Sequence, residues 1–301
     1  LSLHDALPIL TINCVLLGLG GVMASQSLDE MVNEHYGSKG LLDRILSTAR
    51  DNGVVLDGAC SDDFSPVAEF HIGGRAATID LAKMAQLSLG DKVIDIGSGL
   101  GGPARTLAEQ FAVEVEGIDL THEFCAVANE LTRITGLTDK AIFFQGDALS
   151  LPSDSNKYDV VWTQQSCMNI ENKPQMFAEA YRVLKSGGTF VFQEVFAGDQ
   201  GGSIALPVPW AREADMSFLW TSDAIRNAVL GAGFMEVIWK NATNQYLEEY
   251  RILAANTGNA ENASKMGAHL MLGSEARLMR KNVVDNLGQG LISIYQGVFK
   301  K

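Results

Sequence analysis

VIDIGSGLGG, Val93 to Gly102, is the stretch on which the reading of this chain turns. A short β-branched run ends in a glycine-rich turn, and Pro103, whose fixed φ suits a first helical turn, opens a helix directly after it. Glycine takes backbone angles closed to other residues and lets a ligand approach the main chain without a Cβ in the way. Outward from this turn, apolar runs alternate with helical patterns. Lys92–Ile96, Val113–Asp119, Ala141–Gln145, Tyr158–Thr163 and Gly188–Val195 read as five strands, Phe234–Trp239 as a sixth and Ile292–Phe299 as a seventh. Helical patterns fall at Pro103–Phe111, Glu123–Thr135, Pro174–Leu184 and Asp223–Leu230. Such alternation predicts an α/β fold, a doubly wound sheet with helices on both faces. Before the sheet, Leu28–Asn52 and Arg75–Leu87 read as helices joined by a loop through Asp62, Asp63 and Pro66. The expected organisation is N-terminal helices and a cofactor-covering loop over 23–90, then the main domain over 91–301, with a helical cap inserted at about 244–287.

The 301 residues, 47% hydrophobic, suffice for one large domain with a real core. A net charge of −13 and no Lys/Arg patch oppose binding to a phosphate backbone or an anionic bilayer, so neither nucleic acid nor membrane is expected as a partner. Cys14, Cys60, Cys125 and Cys167 are far apart and lack metal-ligand spacing, which fits a reducing, cytoplasmic setting. The apolar run Ile9–Met23 is shorter than the roughly 20 residues of a spanning helix and has no basic segment before it. Leu3–Ile9, LHDALPI, resembles a translated sequencing adapter, so residues 1–22 are expected to be a non-native or unstructured leader, with Met23 the natural start. Nothing in the sequence specifies an oligomeric state.

Gly97, Gly99 and Gly102 satisfy the GxGxxG spacing of a dinucleotide fold, so the turn alone leaves nicotinamide and S-adenosylmethionine cofactors open. Its neighbours favour the second. Asp95 puts a carboxylate where a pyrophosphate would lie close by, and it better suits the ammonium of a methionine moiety. Asp119 closes the second strand and can accept both ribose hydroxyls, a role dinucleotide folds share. Asp147 follows the third strand and can accept the exocyclic amine of adenine, with Leu120 and Ala148 sandwiching the ring. Read singly, each acid could be a solvated strand end; together and in this order they point to one adenosyl site.

Asp95 to Gly102 with Ser98 between the glycines, then Asp119, Asp147, YDVVWTQ and RVLKSGG resemble the ordered motifs of class I S-adenosylmethionine-dependent methyltransferases. FHIGGRAAT (Phe70–Thr78), MNI with Lys173 (Met168–Ile170) and VPWA (Val208–Ala211) resemble bacterial sarcosine/dimethylglycine N-methyltransferases. That resemblance implies a seven-stranded, mostly parallel sheet whose final strand lies antiparallel beside the fifth. It implies S-adenosyl-L-methionine as cofactor, Gly73 and Gly74 near its methionyl end, and the Gln164 backbone at its amino group. Gln165 departs from the histidine or acid often found in relatives, which leaves a base at that position in doubt.

Methyl transfer from a sulfonium is an in-line displacement, so the protein's task is positioning and water exclusion. The five scattered histidines show no ligand constellation, and no metal is expected. His71, between Phe70 and Ile72, is the general-base candidate: a secondary amine must lose a proton, whereas a tertiary amine can be methylated without a base. Met168, Asn169, Trp210, Phe218 and Trp220 are candidates to wall a small-molecule acceptor pocket, and aromatic faces there would stabilise a quaternary ammonium by about 0.5 to 2 kcal/mol each. Arg75, with Arg212 behind it, is the candidate for an acceptor carboxylate. The leading expectation is N-methylation of a glycine derivative. C- or O-methylation of a lipid-like or aromatic metabolite, a non-catalytic cofactor-binding module and a nicotinamide oxidoreductase are the alternatives.

Overall fold

The computed structural model describes residues 40–256 and 266–301. The expected leader at 1–22, residues 28–39 of the first expected helix and 257–265 of the expected cap lie outside the described residues.

Seven strands, β1 (Lys92–Ile96), β2 (Glu114–Asp119), β3 (Ala141–Gln145), β4 (Tyr158–Gln164), β5 (Leu184–Ala197), β6 (Met235–Asn241) and β7 (Ile292–Lys300), form one sheet in the order β3-β2-β1-β4-β5-β7-β6. The first five pair in parallel; β7 runs antiparallel to both β5 and β6. β1 has β2 on one side and β4 on the other, so the chain leaves β1 and β4 in diverging directions and a crevice opens at their carboxyl ends.

The central strands read as unbroken apolar runs because both of their faces are covered. Ile94, Val161 and Phe190 point to one face and pack with Phe177 and Val183 of the helix Lys173–Val183 and Val229 of the helix Ser222–Gly231. Val93, Val160 and Val191, each one residue away, point to the other and meet Leu81, Leu107 and Ala128 from three further helices. Each fully buried side chain contributes about 1.5–3 kcal/mol. Two more clusters sit beyond the carboxyl edge. One joins Ile45, Phe64 and Val67 to Leu100, Phe124 and Met279; the other joins Ile72 and Met168 to Trp210, Tyr246 and Val283. The segment before β1 and the β6–β7 connection thereby share cores over the crevice.

Two expectations need correction. The loop expected through Asp62, Asp63 and Pro66 is a helix, Ser61–Ala68, opened by the Cys60 N–H donating to the Asp63 carboxylate at 2.8 Å. Pro66 forgoes one intrahelical bond there, and burial of Phe64 and Val67 outweighs it. The fifth strand begins at Leu184, not Gly188: Leu184 pairs with Tyr158, and a register shift absorbs the glycines before Thr189 pairs with Val160. No helix among the described residues is long and apolar enough to cross a membrane.

Candidate active site

A cavity of about 650 Å³ opens over the carboxyl ends of β1, β2 and β4. Gly97, Ser98 and Gly99 form its floor, and Gly97 and Gly99 both have positive φ, +75° and +53°. A Cβ on Gly97 would lie 2.3 Å from the Cβ of Ser166, so left-handed strain and overlap act together. Gly97→Ala is expected to lower stability by about 2–5 kcal/mol in denaturant unfolding, and an unchanged midpoint would contradict this geometry.

Asp119 fastens the floor to β2: its Oδ2 accepts from the Gly99 N–H at 2.8 Å and its Oδ1 from the Thr121 N–H at 2.9 Å. Asp119, Leu120, Asp147 and Ala148 all line the cavity, with Asp147 exposed and accepting from the Leu149 N–H at 2.8 Å. Asp95 lies beneath, 1% exposed and not itself part of the wall, with Oδ2 unpartnered. Burial, then the neighbouring Asp119 and Glu69 charges, push its carboxyl up to about 8. Ser98 Oγ and Gln165 Nε2 are likewise buried without partners. Five carboxylates border the space, from Glu69, Asp119, Asp147, Glu171 and Glu249, against a single Lys or Arg among the described residues, Arg280. That balance favours a cationic ligand.

His71, Gly73, Gly74 and Gln164 enter from the loop over the crevice and the end of β4. Gln165 has φ +57° and accepts from the Ile72 N–H at 3.0 Å, so the residue that departs from the relatives holds the loop down. Gln193 reinforces this from β5, donating to the Ile72 carbonyl at 2.8 Å. Met168, Asn169 and Trp210 also line the cavity, with Ile170, Tyr246 and Tyr250. Among the described residues no group of three His, Cys, Asp or Glu could hold a metal ion.

Besides Asp95, which lies beneath the wall, four candidates are not brought to the cavity. Arg75 donates to Thr106 at 2.6 Å, Ser61 at 2.8 Å and Glu109 at 2.7 Å, so its guanidinium is consumed on the outer side of the loop. Trp220 packs on the core with its ring 5.6 Å from Lys173 Nζ. Phe218 serves through its backbone, its N–H donating to the Met168 carbonyl at 2.9 Å and its own carbonyl accepting from Lys173. Arg212, the reserve, pairs with Glu275 at 3.1 Å. Sequence reading passed over Glu69, Tyr246, Tyr250 and Arg280. Glu69 adjoins the FHIGG phrase and could have been singled out from that; the others reach the cavity only through the packing of the β6–β7 connection.

A methyltransferase domain family matches residues 94–192. The sarcosine/dimethylglycine N-methyltransferase of Aphanothece halophytica is 35% identical over 117 residues, 39% of this chain and 42% of that protein. The chloroplastic tocopherol O-methyltransferase of Arabidopsis thaliana is 37% identical over 100 residues, 33% of this chain and 29% of that one. Both matches therefore span less than half of the curated relative. Geranyl diphosphate C-methyltransferase from Streptomyces coelicolor superposes with a TM-score of 0.66 at 15% identity, over 92% of this chain and 98% of that one. The fold is that of the class I methyltransferases. Within it the chain resembles S-adenosylmethionine-dependent enzymes, sarcosine/dimethylglycine N-methyltransferases among them. The antiparallel β7 between β5 and β6 is the feature that separates this class I methyltransferase sheet from an all-parallel dinucleotide fold.

Proposed function

We propose that the chain transfers a methyl group from S-adenosyl-L-methionine to a small-molecule acceptor. The observation that carries the reading is the convergence of Gly97–Gly99, Asp119 and Asp147 on one acid-rich cavity above an unpartnered buried Asp95. Asp119 would take the ribose hydroxyls, Asp147 the adenine amine between Leu120 and Ala148, and Asp95 with the Gln164 backbone the ammonium end, beside Gly73 and Gly74. When bound, the cofactor supplies an electrophilic methyl carbon on a cationic sulfur. His71 would take the acceptor's proton, leaving the acceptor's electron pair for the methyl group that the cofactor would supply. Met168, Asn169 and Trp210 hold the acceptor and exclude water.

The acceptor fitting the sequence best is the amine of a glycine derivative, methylated towards a betaine. The engagement of Arg75 removes the expected carboxylate anchor and leaves that part to Arg280, the one Lys or Arg on the cavity among the described residues, while Ile170, Trp210 and Tyr250 in the lining support the alternative, a lipid-like or aromatic C- or O-acceptor. Calorimetry with S-adenosylmethionine and NAD tests the cofactor, and NAD binding alone would overturn it. Turnover of sarcosine, dimethylglycine and a phenolic acceptor separates the acceptor classes. His71→Gln is expected to slow a proton-losing acceptor such as sarcosine by about 10²–10⁴-fold while leaving cofactor affinity within a few-fold, and equal turnover would remove His71 from the chemistry.

A further inference from the structure

Glu69 lies two residues before His71, is 4% exposed, and has no counterpart among the roles assigned above. Its Oε2 accepts from the Thr78 hydroxyl at 2.6 Å and stands 3.4 Å from His71 Nε2; its Oε1 accepts from Thr106 and lies 3.8 Å from Arg75. Burial pushes this carboxyl up, but hydrogen bonding and charge attraction to His71, with the Thr106 and Thr78 hydroxyls, hold it below the ordinary carboxylate value. On the other edge of the ring, Nδ1 is 3.3 Å from the Ile72 carbonyl and 3.3 Å from Gln164 Nε2. Two tautomers therefore compete: one donates from Nδ1 to a neutral carbonyl, the other from Nε2 towards a carboxylate and the Thr78 oxygen, 3.2 Å away. Charge-assisted bonds are about twice as strong as neutral ones, which favours the second.

We infer that Glu69 is a positioning residue that fixes the His71 proton on Nε2 and leaves the Nδ1 lone pair, to which Gln164 Nε2 donates until an acceptor displaces it, as the proton acceptor. The inference rests on the His71 role proposed above. An imidazole that takes a proton on Nδ1 becomes a cation, and the same carboxylate then neutralises it without moving. Arg75 and Thr106 hold the far carboxylate oxygen, so the Glu69 carboxylate keeps its place beside the ring when the ring charges.

The test is ¹⁵N long-range NMR of the full-length chain with S-adenosylhomocysteine added, the His71 signals being assigned by their loss in His71→Gln. Nε2–H in the wild type, Nδ1–H in Glu69→Gln and a return to Nε2–H in Glu69→Asp are expected. Nδ1–H in the wild type overturns the inference even if Glu69→Gln does not fold. So does an unchanged tautomer in a folded Glu69→Gln. With a proton-losing acceptor, Glu69→Gln is expected to lower kcat roughly 10- to 100-fold with KM within about twofold. A tenfold weaker S-adenosylhomocysteine affinity without a tautomer change would make Glu69 a cofactor ligand instead, which also overturns the inference. Because the tautomer is read without turnover, failure of every acceptor tried would count against the proposed activity and not against Glu69.

Discussion

Asp119→Asn is expected to weaken S-adenosylmethionine binding by about 100-fold or more, close to 3 kcal/mol, although the substitution alters no volume. Both carboxylate oxygens already accept backbone N–H groups, from Gly99 and Thr121, and Asp119 lines the cavity. An amide in that place presents an N–H to a backbone N–H on one side and can accept on the other only. The glycine floor then loses its tether to β2 and the ribose loses one acceptor. Calorimetric titration with S-adenosylhomocysteine measures the effect; a Kd within threefold of wild type would mean that the ribose is held elsewhere.

Asp95→Asn is expected to act in opposite directions on stability and on binding. The unfolded chain gives up this proton near the ordinary value of 3.8, while the buried carboxyl keeps it to about 8. Between those values the native state holds more protons than the unfolded one, so wild-type stability falls as pH rises from about 4 to about 8, by about 1.4 kcal/mol for each pH unit of difference. Asparagine removes that slope and is expected to raise the Tm of the ligand-free protein by several degrees at pH 8 and little at pH 4. Glu194, pushed by burial up to about 7, keeps its own smaller contribution in the variant. Binding of an ammonium beside Asp95 favours its ionised form, so wild type is expected to release a proton on taking up S-adenosylmethionine near pH 7. The variant should release less and bind at least about tenfold more weakly. Titrations in buffers of different ionisation enthalpy read the proton directly, and equal release from both proteins would place the ammonium elsewhere.

The parts legible in the sequence were those whose function is local. Gly97, Gly99, Asp119 and Asp147 sit at strand ends, where backbone direction alone decides what they face, and the β-branched runs around them fix the sheet. Arg75 was misjudged because its destination depends on Ser61, Thr106 and Glu109, the first of them on a helix that the Asp62, Asp63 and Pro66 chemistry disguises as a loop. Trp220 reads as a pocket aromatic by position, yet it packs against the core cluster that contains Phe192 and Phe196. Tyr250 and Arg280 were invisible because the β6–β7 connection is polar along much of its length and carries no short-range signal of the side it turns inward.

β6 has one neighbour, β7, which is made some fifty residues after it. During synthesis β6 stays without a hydrogen-bonding neighbour until β7 slots between it and β5. The helices threaded between the two can settle over the crevice only as that insertion is completed, since long-range pairings bear their closure entropy before any contact rewards them. The half of the chamber built by Gly97 and Asp119 can therefore take shape early, and the half carrying Tyr246, Tyr250 and Arg280 is among the last pieces of the molecule to arrive.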